Sequence, residues 1–372
     1  MKLLAFLSES AVRKFSSDLT VCETVEIYGY KFNIGLLDWP MPSFDETGLE
    51  HQDYVLVRKN GFSVNFRDKG IVMNKRSTLF DPDTVAVLPV GSDFVGEVIA
   101  IGKHVVSFKI GDRVIPNAHY PSINPNIILG GIPTNEASKE YEVFHHLHLI
   151  KVPEELPDNL AAGLTVGAQT AYGMIRKLAP SGLERVLLTS ATSNTSLFIA
   201  SALINIGCEV TVMTAQANFK PRLEQMGVSK VFVVKNRNEL FNSTDTTEPF
   251  GQGECFDIII DPFADIFMPQ LLDITTNNGK YMICGFYHQS FRQQGSPFSL
   301  HNLLVKIISK NVSLIGNCLG ESGDLDKAIS DFLNGRFNIE VDSVFSGKEI
   351  SGFINRSFAE TGRLGKVIYK FM

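Results

Sequence analysis

Strands and helices alternate in the sequence pattern of residues 164–318, and this alternation constrains the fold more than any other feature of the chain. Apolar runs rich in Val, Ile and Leu are separated by stretches of helical pattern. The alternation predicts a parallel sheet covered by helices on both faces, because parallel strands need long crossover connections. Strands are expected at RVLLTS, CEVTVMT, KVFVV, FDIIID, GKYMICG and VSLIG.

The residues before about 160 follow a different pattern. Period-two apolar runs such as YVLVRKNGFSV are punctuated by Gly, Pro, Asn and Asp, which indicates a β-rich unit. The tail has one helical stretch, DLDKAISDFLNG, and ends in a strand, GKVIYKF. A chain of 372 residues exceeds what one core usually supports. We therefore predict an α/β protein in which a doubly wound domain, residues 164–318, is inserted in a β-rich domain made of residues 1–163 and 319–372.

Charge and cysteine content argue against several classes of protein. A net charge of -6 gives no attraction for nucleic acid or an anionic membrane. No apolar window approaches the ~20 residues of a membrane span, and we interpret MKLLAFLSES as a strand rather than a signal peptide. The odd number of widely spaced cysteines favours buried thiols in a reducing compartment over disulfides: Cys22, Cys208, Cys255, Cys284 and Cys318. We expect a cytoplasmic protein.

The segment RVLLTSATSNTSLFIA, residues 185–200, runs from a strand through a polar turn into a helix, where nucleotide-binding proteins carry a glycine-rich turn. This turn has no glycine. A phosphate site remains feasible, because the N–H groups that bind phosphate at a helix start belong to the backbone. Asn194 tolerates a left-handed conformation, and hydroxyl donors stand at Thr192, Ser193, Thr195 and Ser196. The alternative is that the hydroxyl groups only cap the helix and the groove is closed.

Cofactor choice depends on the end of the second strand of the parallel sheet, VTVMTAQANFKPR. A site selective for the 2′-hydroxyl of NAD places Asp or Glu there, and this stretch has neither. Thr214, Lys220 and Arg222 could instead contact a 2′-phosphate, which favours NADPH over NADH. Alternatively, Lys220 and Arg222 lie on a solvated helix face.

Eight motifs give the chain a resemblance to a known family. They are NFRDKG (65–70), GSDFVGEVIAIG (91–102), GDRV (111–114), KEYEVF (139–144), LIKVPEELPDNLAAGLTVGAQTAY (149–172), FDIIIDPF (256–263), GKYMICGF (279–286) and GRLGKVIYKF (362–371). Together they resemble the medium-chain dehydrogenase/reductase superfamily, in its zinc-free quinone oxidoreductase and enoyl reductase branch. The resemblance implies a GroES-like domain split around a Rossmann domain, with the nicotinamide in the cleft between them, and a homodimer.

The resemblance also indicates where zinc-dependent relatives hold a metal. Their ligands would fall at Asn65, Ser92 and Val166, and a valine side chain cannot coordinate zinc. The segment His119–Ser138, where a structural zinc lobe would lie, contains no cysteine. We therefore predict no metal.

A histidine-rich segment, FHHLHL, is a less specific signal. His145, His146 and His148 alternate along a predicted strand and would point to different faces. We interpret them as surface and packing residues rather than metal ligands.

On the substrate side, the resemblance implies that Asn65 and Asp68 lie at the nicotinamide end of the cleft. Lys69 and Arg67 are candidates for holding a substrate carbonyl or enolate, although either could pair with Asp68 or Asp93 instead. The tyrosine that enoyl-thioester reductases use as proton donor has no counterpart in NFRDKGIVMNKRST.

On the cofactor side, the resemblance implies that Thr170 approaches the carboxamide of the nicotinamide. Gly285 and Phe286 would end a strand at the cofactor edge, and Lys366 would reach the same cleft.

These observations predict an NADPH-dependent, zinc-free reductase that delivers hydride to an activated, electron-poor double bond such as an enone, a quinone or a dehydroamino acid. One alternative is a metal-free carbonyl reductase or alcohol dehydrogenase. Another is a non-catalytic binding or scaffold protein, because a glycine-free turn is what loss of cofactor binding could leave. The substrate is expected to be a small molecule, free or linked to a carrier protein or peptide.

Overall fold

The computed structural model of the protein describes residues 1–119, 131–234, 253–286, 299–359 and 361–372. They form two compact units. Unit 1 comprises Met1–Val166 together with Glu340–Met372, and unit 2 comprises Gly167–Ile339. The chain therefore leaves unit 1, builds unit 2 and returns, which is the order that the sequence predicts.

The chain begins with a β-rich segment. Its strands are β1 (Lys2–Leu7), β2 (Leu19–Ile27), β3 (Tyr30–Asp38), β4 (Tyr54–Ser63), β5 (Val87–Pro89), β6 (Asp93–Ile101), β7 (Arg113–Pro116), β8 (Tyr141–His145) and β9 (Leu149–Lys151), and its helices are α1 (Glu9–Lys14), α2 (Phe66–Asn74), α3 (Arg76–Phe80) and α4 (Asp158–Ala161). Helix α5 (Thr165–Leu178) leads into unit 2.

Strands and helices then alternate through unit 2. The strands are β10 (Arg185–Leu188), β11 (Glu209–Thr214), β12 (Lys230–Val233), β13 (Phe256–Asp261), β14 (Thr275–Ile283) and β15 (Ser313–Gly316), and the helices are α6 (Asn194–Ile206), α7 (Lys220–Gln225), α8 (Ala264–Leu271), α9 (Leu300–Ser309) and α10 (Ser322–Leu333). The returning segment carries β16 (Val341–Ser346), α11 (Ile350–Phe358) and β17 (Lys366–Lys370).

Two sheets build unit 1. The first has the strand order β2-β3-β1-β5, and the second has the order β16-β17-β4-β6-β7-β9 with β8 paired to β4. Strand β17 runs antiparallel to β4 with Ile368 opposite Ser63, and β4 runs antiparallel to β6 with Ser63 opposite Asp93. This register brings the start of β17 close to the start of β6, although they come from opposite ends of the chain.

A six-stranded parallel sheet forms the centre of unit 2, with the order β12-β11-β10-β13-β14-β15. Each of the six strands expected from the sequence is present, so the doubly wound architecture is confirmed. The central strands are almost entirely apolar and buried, because helices cover both faces of such a sheet. Since the strands are parallel, the carboxyl ends of β10, β11, β13 and β14 lie at the same edge.

The return to unit 1 falls later in the chain than the sequence analysis placed it. Residues 319–339 belong to unit 2. Helix α10 is attached to α5 by side-chain bonds: Arg176 Nε donates to Asp324 Oδ1 at 3.0 Å, and Tyr172 Oη donates to Asp331 Oδ2 at 2.9 Å. These contacts hold α10 in unit 2.

The histidine-rich segment does not form the continuous strand that we predicted. Strand β8 ends at His145, and His146–His148 form one 3-10 turn before β9. The imidazole rings gather instead of alternating, with ring-centre distances of 4.9 Å from His145 to His146 and 5.7 Å from His145 to His148. Alternation requires an extended backbone, and the turn removes it. Burial and the neighbouring imidazoles lower the pKa of His148 to about 4.

The expectation of buried thiols is correct for Cys208 and wrong for Cys22 and Cys318, which are exposed. Cys22 lies on β2, where alternate residues face solvent, and Cys318 follows the edge strand β15. All five cysteines are free. Within the described ranges, no helix combines the length and hydropathy that crossing a bilayer requires.

Candidate functional site

A cluster of polar side chains is buried in unit 1, where β4, β6 and β17 meet the start of α2. Lys366 Nζ donates to Asp93 Oδ2 at 2.8 Å and to Asn65 Oδ1 at 2.7 Å. Asp93 is fully buried and Lys366 is 1% exposed. Asn65 Nδ2 donates to Asp93 Oδ2 at 2.8 Å and to Ser92 Oγ at 3.1 Å. The two buried charges therefore compensate each other, and the Asn65 amide bonds to both.

Asp68 belongs to the same cluster. Its Oδ2 atom accepts from Asn65 N at 2.6 Å and from Ser92 Oγ at 2.9 Å, and Arg67 Nη1 lies 3.4 Å from Oδ1. These partners favour the ionised carboxylate. Burial has the larger, opposite effect and raises the pKa of Asp68 to about 6. The cluster thus contains a carboxyl group that titrates close to neutral pH.

The Lys69 ammonium group, a candidate for holding the substrate carbonyl or enolate, lies beside Tyr28 and Phe358 in unit 1. Its Nζ atom lies 3.4 Å from the Phe358 carbonyl oxygen and 3.8 Å from the centre of the Tyr28 ring. There it lines a cavity of about 410 Å³. The ammonium group that the fold brings to Asn65 is Lys366, which we had assigned to the cofactor, because the β17–β4 pairing places it there.

The positions at which zinc-dependent relatives would hold a metal also lie in this cluster. Asn65 and Ser92 are hydrogen-bonded to each other, and the main-chain N–H of Val166 donates to Asp93 Oδ1 at 2.7 Å. An amide, a hydroxyl and a valine side chain do not form a zinc ligand set, and the Lys366 ammonium already balances Asp93. These residues do not fit a zinc ion.

Elsewhere in the described part of the chain, no group of three His, Cys, Asp or Glu side chains is arranged to hold a metal. Of the segment in which we expected no structural zinc lobe, residues 120–130 lie outside the described residues.

In unit 2, the glycine-free turn lies at the carboxyl edge of the parallel sheet. Strand β10 ends at Leu188, and α6 begins at Asn194 with Ser193 as its N-cap. Ser190 has a φ of 54°, in the left-handed region, whereas Asn194 is the first helical residue. Asn194, which tolerates a left-handed conformation, therefore does not adopt one. The reversal occurs at Ser190, two positions after the strand and four positions before Asn194.

Several of the hydroxyl groups that we expected to bind a ligand are hydrogen-bonded to other groups of unit 2. Ser193 Oγ accepts from Ser196 N at 3.2 Å and donates to Ser196 Oγ at 2.8 Å. Ser196 Oγ in turn donates to the Thr189 carbonyl oxygen at 3.0 Å, and Thr192 Oγ1 accepts from Gln216 Nε2 at 2.7 Å. Ser193 and Ser196 thus cap and close the turn, as the alternative interpretation had it.

The start of α6 nevertheless keeps groups that fit a nucleotide phosphate and ribose. The N–H groups of Asn194 and Thr195 lie in the first turn, where a helix offers no acceptor, and the positive end of the helix dipole is located there. Asn194 Oδ1 is buried and has no hydrogen-bond partner among the described residues. A buried acceptor without a partner is unfavourable, and a bound group that donates a hydrogen bond would satisfy it.

The residues expected to contact the 2′ group of the cofactor ribose lie at the end of β11 and in the segment that follows it. Thr214 is buried, and its Oγ1 accepts from Gln216 N at 3.0 Å. Lys220 begins α7, half-exposed, with its Nζ 3.8 Å from Glu224 Oε1. Arg222 Nη1 donates to Gln225 Oε1 at 2.9 Å. Both cations therefore lie on an exposed helix, and a role in cofactor choice stays a prediction.

The remaining residues assigned to the cofactor occupy other parts of unit 2. Thr170 lies in α5, and its carbonyl oxygen accepts from Asn317 Nδ2 at 3.4 Å. A Cβ atom on Gly285 would lie 2.8 Å from the Pro262 carbonyl oxygen, so only glycine fits there without a shift. Phe286 is 52% exposed. Their contact with a nicotinamide stays a prediction.

Sequence reasoning missed three further residues: Asp261, Thr189 and Tyr281. Asp261, at the end of β13, accepts from Thr189 Oγ1 at 2.8 Å and from Tyr281 Oη at 2.7 Å. The available signal was an acidic residue, Asp261, directly after the apolar run 258–260 in FDIIID.

Comparison with known proteins agrees with this architecture. Residues 51–154 match the family described as "Alcohol dehydrogenase GroES-like domain". The chain is 29% identical over 164 residues to an L-threonine 3-dehydrogenase of Stenotrophomonas maltophilia, covering 41% of this chain and 47% of that protein. It is 25% identical over 299 residues to prostaglandin reductase-3 of Bos taurus, covering 78% of this chain and 72% of that protein.

The full length of the chain superimposes on a solved structure, the quinone oxidoreductase from Coxiella burnetii, with a TM-score of 0.68, 17% identity and 99% of that chain covered. The chain is similar to members of the medium-chain dehydrogenase/reductase superfamily. The matched superfamily members are oxidoreductases, and the superfamily uses nicotinamide cofactors. The chain spans about half the length of the threonine dehydrogenases it matches, 47% and 51% in two examples.

The raised pKa of Asp68 predicts a specific pH dependence of stability. Because the folded-state pKa, about 6, exceeds the ordinary value of 3.8, the folded state favours the protonated acid. The stabilisation of the folded state by protonated Asp68 is complete below pH 3.8 and is lost as the pH rises through about 6. The melting temperature of an Asp68→Asn variant, relative to that of the unmodified protein, should therefore be higher at pH 7 than at pH 4.5. Thermal unfolding of both proteins at the two pH values measures this difference, and a gap independent of pH contradicts the assignment.

Proposed function

We propose that this protein is an NADPH-dependent, zinc-independent reductase that delivers hydride to an electron-poor double bond, such as that of an enone, a quinone or a dehydroamino acid. The observation that carries the nucleotide part is the start of α6, with its first-turn amides and the buried, unpartnered Asn194 Oδ1. The reductase part is supported by the name of prostaglandin reductase-3, the relative aligned over 78% of this chain. Both parts fit a superfamily of oxidoreductases.

The bound cofactor supplies the hydride, which adds to the β carbon of the substrate. The π electrons then move to the carbonyl oxygen, and the resulting enolate takes a proton at its α carbon. In the polar cluster of unit 1, Asn65 and Lys366 are the donors suited to an enolate oxygen, in place of Lys69. Asp68 is the candidate proton source, because its pKa of about 6 leaves a fraction of the carboxyl protonated at pH 7 and Ser92 links it to Asn65.

Turnover tests the proposal directly. The unmodified protein should consume NADPH, followed by its absorbance, when simple enones or quinones are added. Asp68→Asn should lower kcat by about 10²-fold, the size of a lost general acid. The control variant Glu97→Gln removes a partly exposed acid bonded to Arg58 and should keep the full rate. Equal rates for all three proteins would remove Asp68 from the reaction, and no consumption with any acceptor would favour a binding or scaffold role.

Cofactor choice is tested by charge reversal at Lys220. Lys220→Glu should raise the Kd for NADPH by about tenfold and leave that for NADH nearly unchanged, because a carboxylate would repel only the 2′-phosphate. Fluorescence quenching or the ligand-induced shift in melting temperature measures both constants. Lys103→Glu, at another exposed lysine, is the matched control for net charge. An equal loss of affinity for NADPH and NADH would place the 2′-phosphate away from Lys220.

Metal-free oxidation of an alcohol is the second candidate. It is favoured by the L-threonine 3-dehydrogenase relatives, which are named for dehydrogenation. In this case the protein should reduce NADP⁺ or NAD⁺ in the presence of secondary alcohols and should leave enones untouched.

We also propose that the protein forms a homodimer through unit 2. Strand β15 lies at the edge of the sheet in the described part of the chain, and the neighbouring helix α9 exposes apolar side chains: Leu300, Leu304, Val305 and Ile308. An exposed edge strand and an apolar helix face commonly mark an interface. Lys306, the charged residue of α9, is already paired with Asp273, so a two-fold axis here brings no unpaired like charges together.

Sedimentation equilibrium tests the dimer. The unmodified chain should sediment at about twice its mass of 41.1 kDa. Ile308→Glu should yield the monomer, because it buries a charge in the interface, whereas Leu183→Glu, at an apolar residue 90% exposed elsewhere in unit 2, should leave the dimer intact. A monomeric unmodified protein would contradict the proposal.

A further inference from the structure

A fully buried carboxylate lies beside the glycine-free turn and is not used by the proposed reaction. Asp261 closes β13 and is 0% exposed. Its Oδ1 atom accepts from Thr189 Oγ1 at 2.8 Å and from the main-chain N–H of Phe263 at 2.9 Å, and its Oδ2 atom accepts from Tyr281 Oη at 2.7 Å. The group thus ties together the ends of β10, β13 and β14, three neighbouring strands.

Thr189 is the residue through which this carboxylate reaches the turn. Its main-chain N–H donates to the Ile260 carbonyl oxygen at 3.2 Å, and its own carbonyl oxygen accepts from Ser196 Oγ at 3.0 Å. Its side chain is held by Asp261. Thr189 is therefore fixed at its main chain and at its side chain, immediately before Ser190.

Ser190 needs such support because it adopts a left-handed conformation, with φ of 54°. That region is disfavoured for a residue with a Cβ atom, and glycine would occupy it freely. After Ser190, the turn closes through two main-chain bonds: Ala191 N donates to the Met213 carbonyl oxygen at 2.9 Å, and Ser193 N donates to the Ser190 carbonyl oxygen at 2.8 Å. A conformation that glycine usually permits must here be imposed by the surroundings.

We propose that Asp261 is a positioning residue, which holds Thr189 with the help of Tyr281 and thereby fixes the Ser190–Ser193 turn in the form that presents the α6 amides to a nucleotide phosphate. The binding part of this inference rests on the proposed function. The positioning part concerns the order of the turn and can be measured without nucleotide.

Asp261 is suited to this role by its charge. Burial raises its pKa to about 6, so at pH 7 and above the group is mainly ionised and accepts hydrogen bonds without donating any. The hydroxyl groups of Thr189 and Tyr281 must then both donate to it. Hydrogen bonds to an ionised acceptor are stronger than neutral ones and more restrictive in geometry.

Hydrogen exchange in the nucleotide-free, full-length protein tests the positioning role. Thr189→Val keeps the shape of the side chain and removes its hydroxyl, whereas Thr189→Ser keeps the hydroxyl and removes a methyl group. In Thr189→Val, the amides of Ala191 and Ser193 should exchange about tenfold faster, the effect of one lost hydrogen bond to a charged group. In Thr189→Ser, exchange should stay within about twofold of the unmodified protein.

Two further variants complete the series. Tyr281→Phe removes the second hydroxyl donor to Asp261 and should accelerate the hydrogen exchange of the same two amides. Thr211→Val is the matched control, because Thr211 is a buried threonine of the neighbouring strand β11 outside this network. Acceleration in the control equal to that in Thr189→Val, or acceleration spread over all strands of unit 2, would overturn the positioning role in favour of general loss of stability.

Nucleotide affinity provides the second measurement. Thr189→Val should raise the Kd for NADPH about tenfold, and Thr189→Ser should restore it. If the unmodified protein binds neither NADPH nor NADH, the proposed function fails while the exchange experiment still decides the positioning role. If exchange changes locally but the Kd of Thr189→Val equals that of the unmodified protein, the turn is positioned by Asp261 and the link to nucleotide binding is overturned.

Discussion

A buried ammonium–carboxylate pair, Lys366 with Asp93, joins the two separated stretches of chain that form unit 1. The residues are 273 positions apart in the sequence. Removing two charges from water is unfavourable unless each is compensated by its partner and by further hydrogen bonds. Here Asn65 bonds to both charges, and the main-chain N–H of Val166 also donates to Asp93. The polar cluster is organised around this interaction, and the β17–β4 pairing and a shared apolar core join the same two stretches of chain.

The same pair explains the chemistry to which the cluster is suited. In zinc-dependent relatives, the resemblance implies a dication at these positions. In this chain the ammonium group of Lys366 supplies the positive charge, and a dication beside it would be repelled. Polarisation of a substrate carbonyl would then have to come from hydrogen-bond donors. Asp68, with its pKa of about 6, adds a carboxyl group able to exchange a proton near neutral pH.

In unit 2 the turn between β10 and α6 has no glycine, although nucleotide-binding proteins ordinarily carry glycine there. The left-handed residue after β10 is Ser190, and the conformation is supported by hydrogen bonds from small polar residues on both sides. Two of the hydroxyl groups in the turn are used for this internal support rather than being free for a ligand. The backbone amides at the start of α6 are unaffected by the exchange of side chains, because they belong to the main chain. A fold shared at 17% identity can therefore persist while the side chains of the turn change.

Local sequence patterns were sufficient for the architecture. The six strands of unit 2 were recognisable because each is a short apolar run, and the β-rich character of unit 1 followed from period two. The pattern failed at FHHLHL, where a 3-10 turn interrupts the strand after His145. The backbone conformation there is decided by how β8 must connect to β9, which the pattern of neighbouring residues does not show.

The sequence by itself determined the alternation of strands and helices, the glycine-free turn, the absence of a zinc ligand set at positions 65, 92 and 166, and the resemblance to the medium-chain dehydrogenase/reductase superfamily. Only the tertiary structure decided which side chains meet: Lys366 rather than Lys69 beside Asn65, and Asp261 beside Thr189, 72 positions away. The physical reason is that apolar patterning acts over a few residues of chain. Hydrogen bonds between buried polar groups depend instead on strand order and register, which emerge only when the sheets assemble.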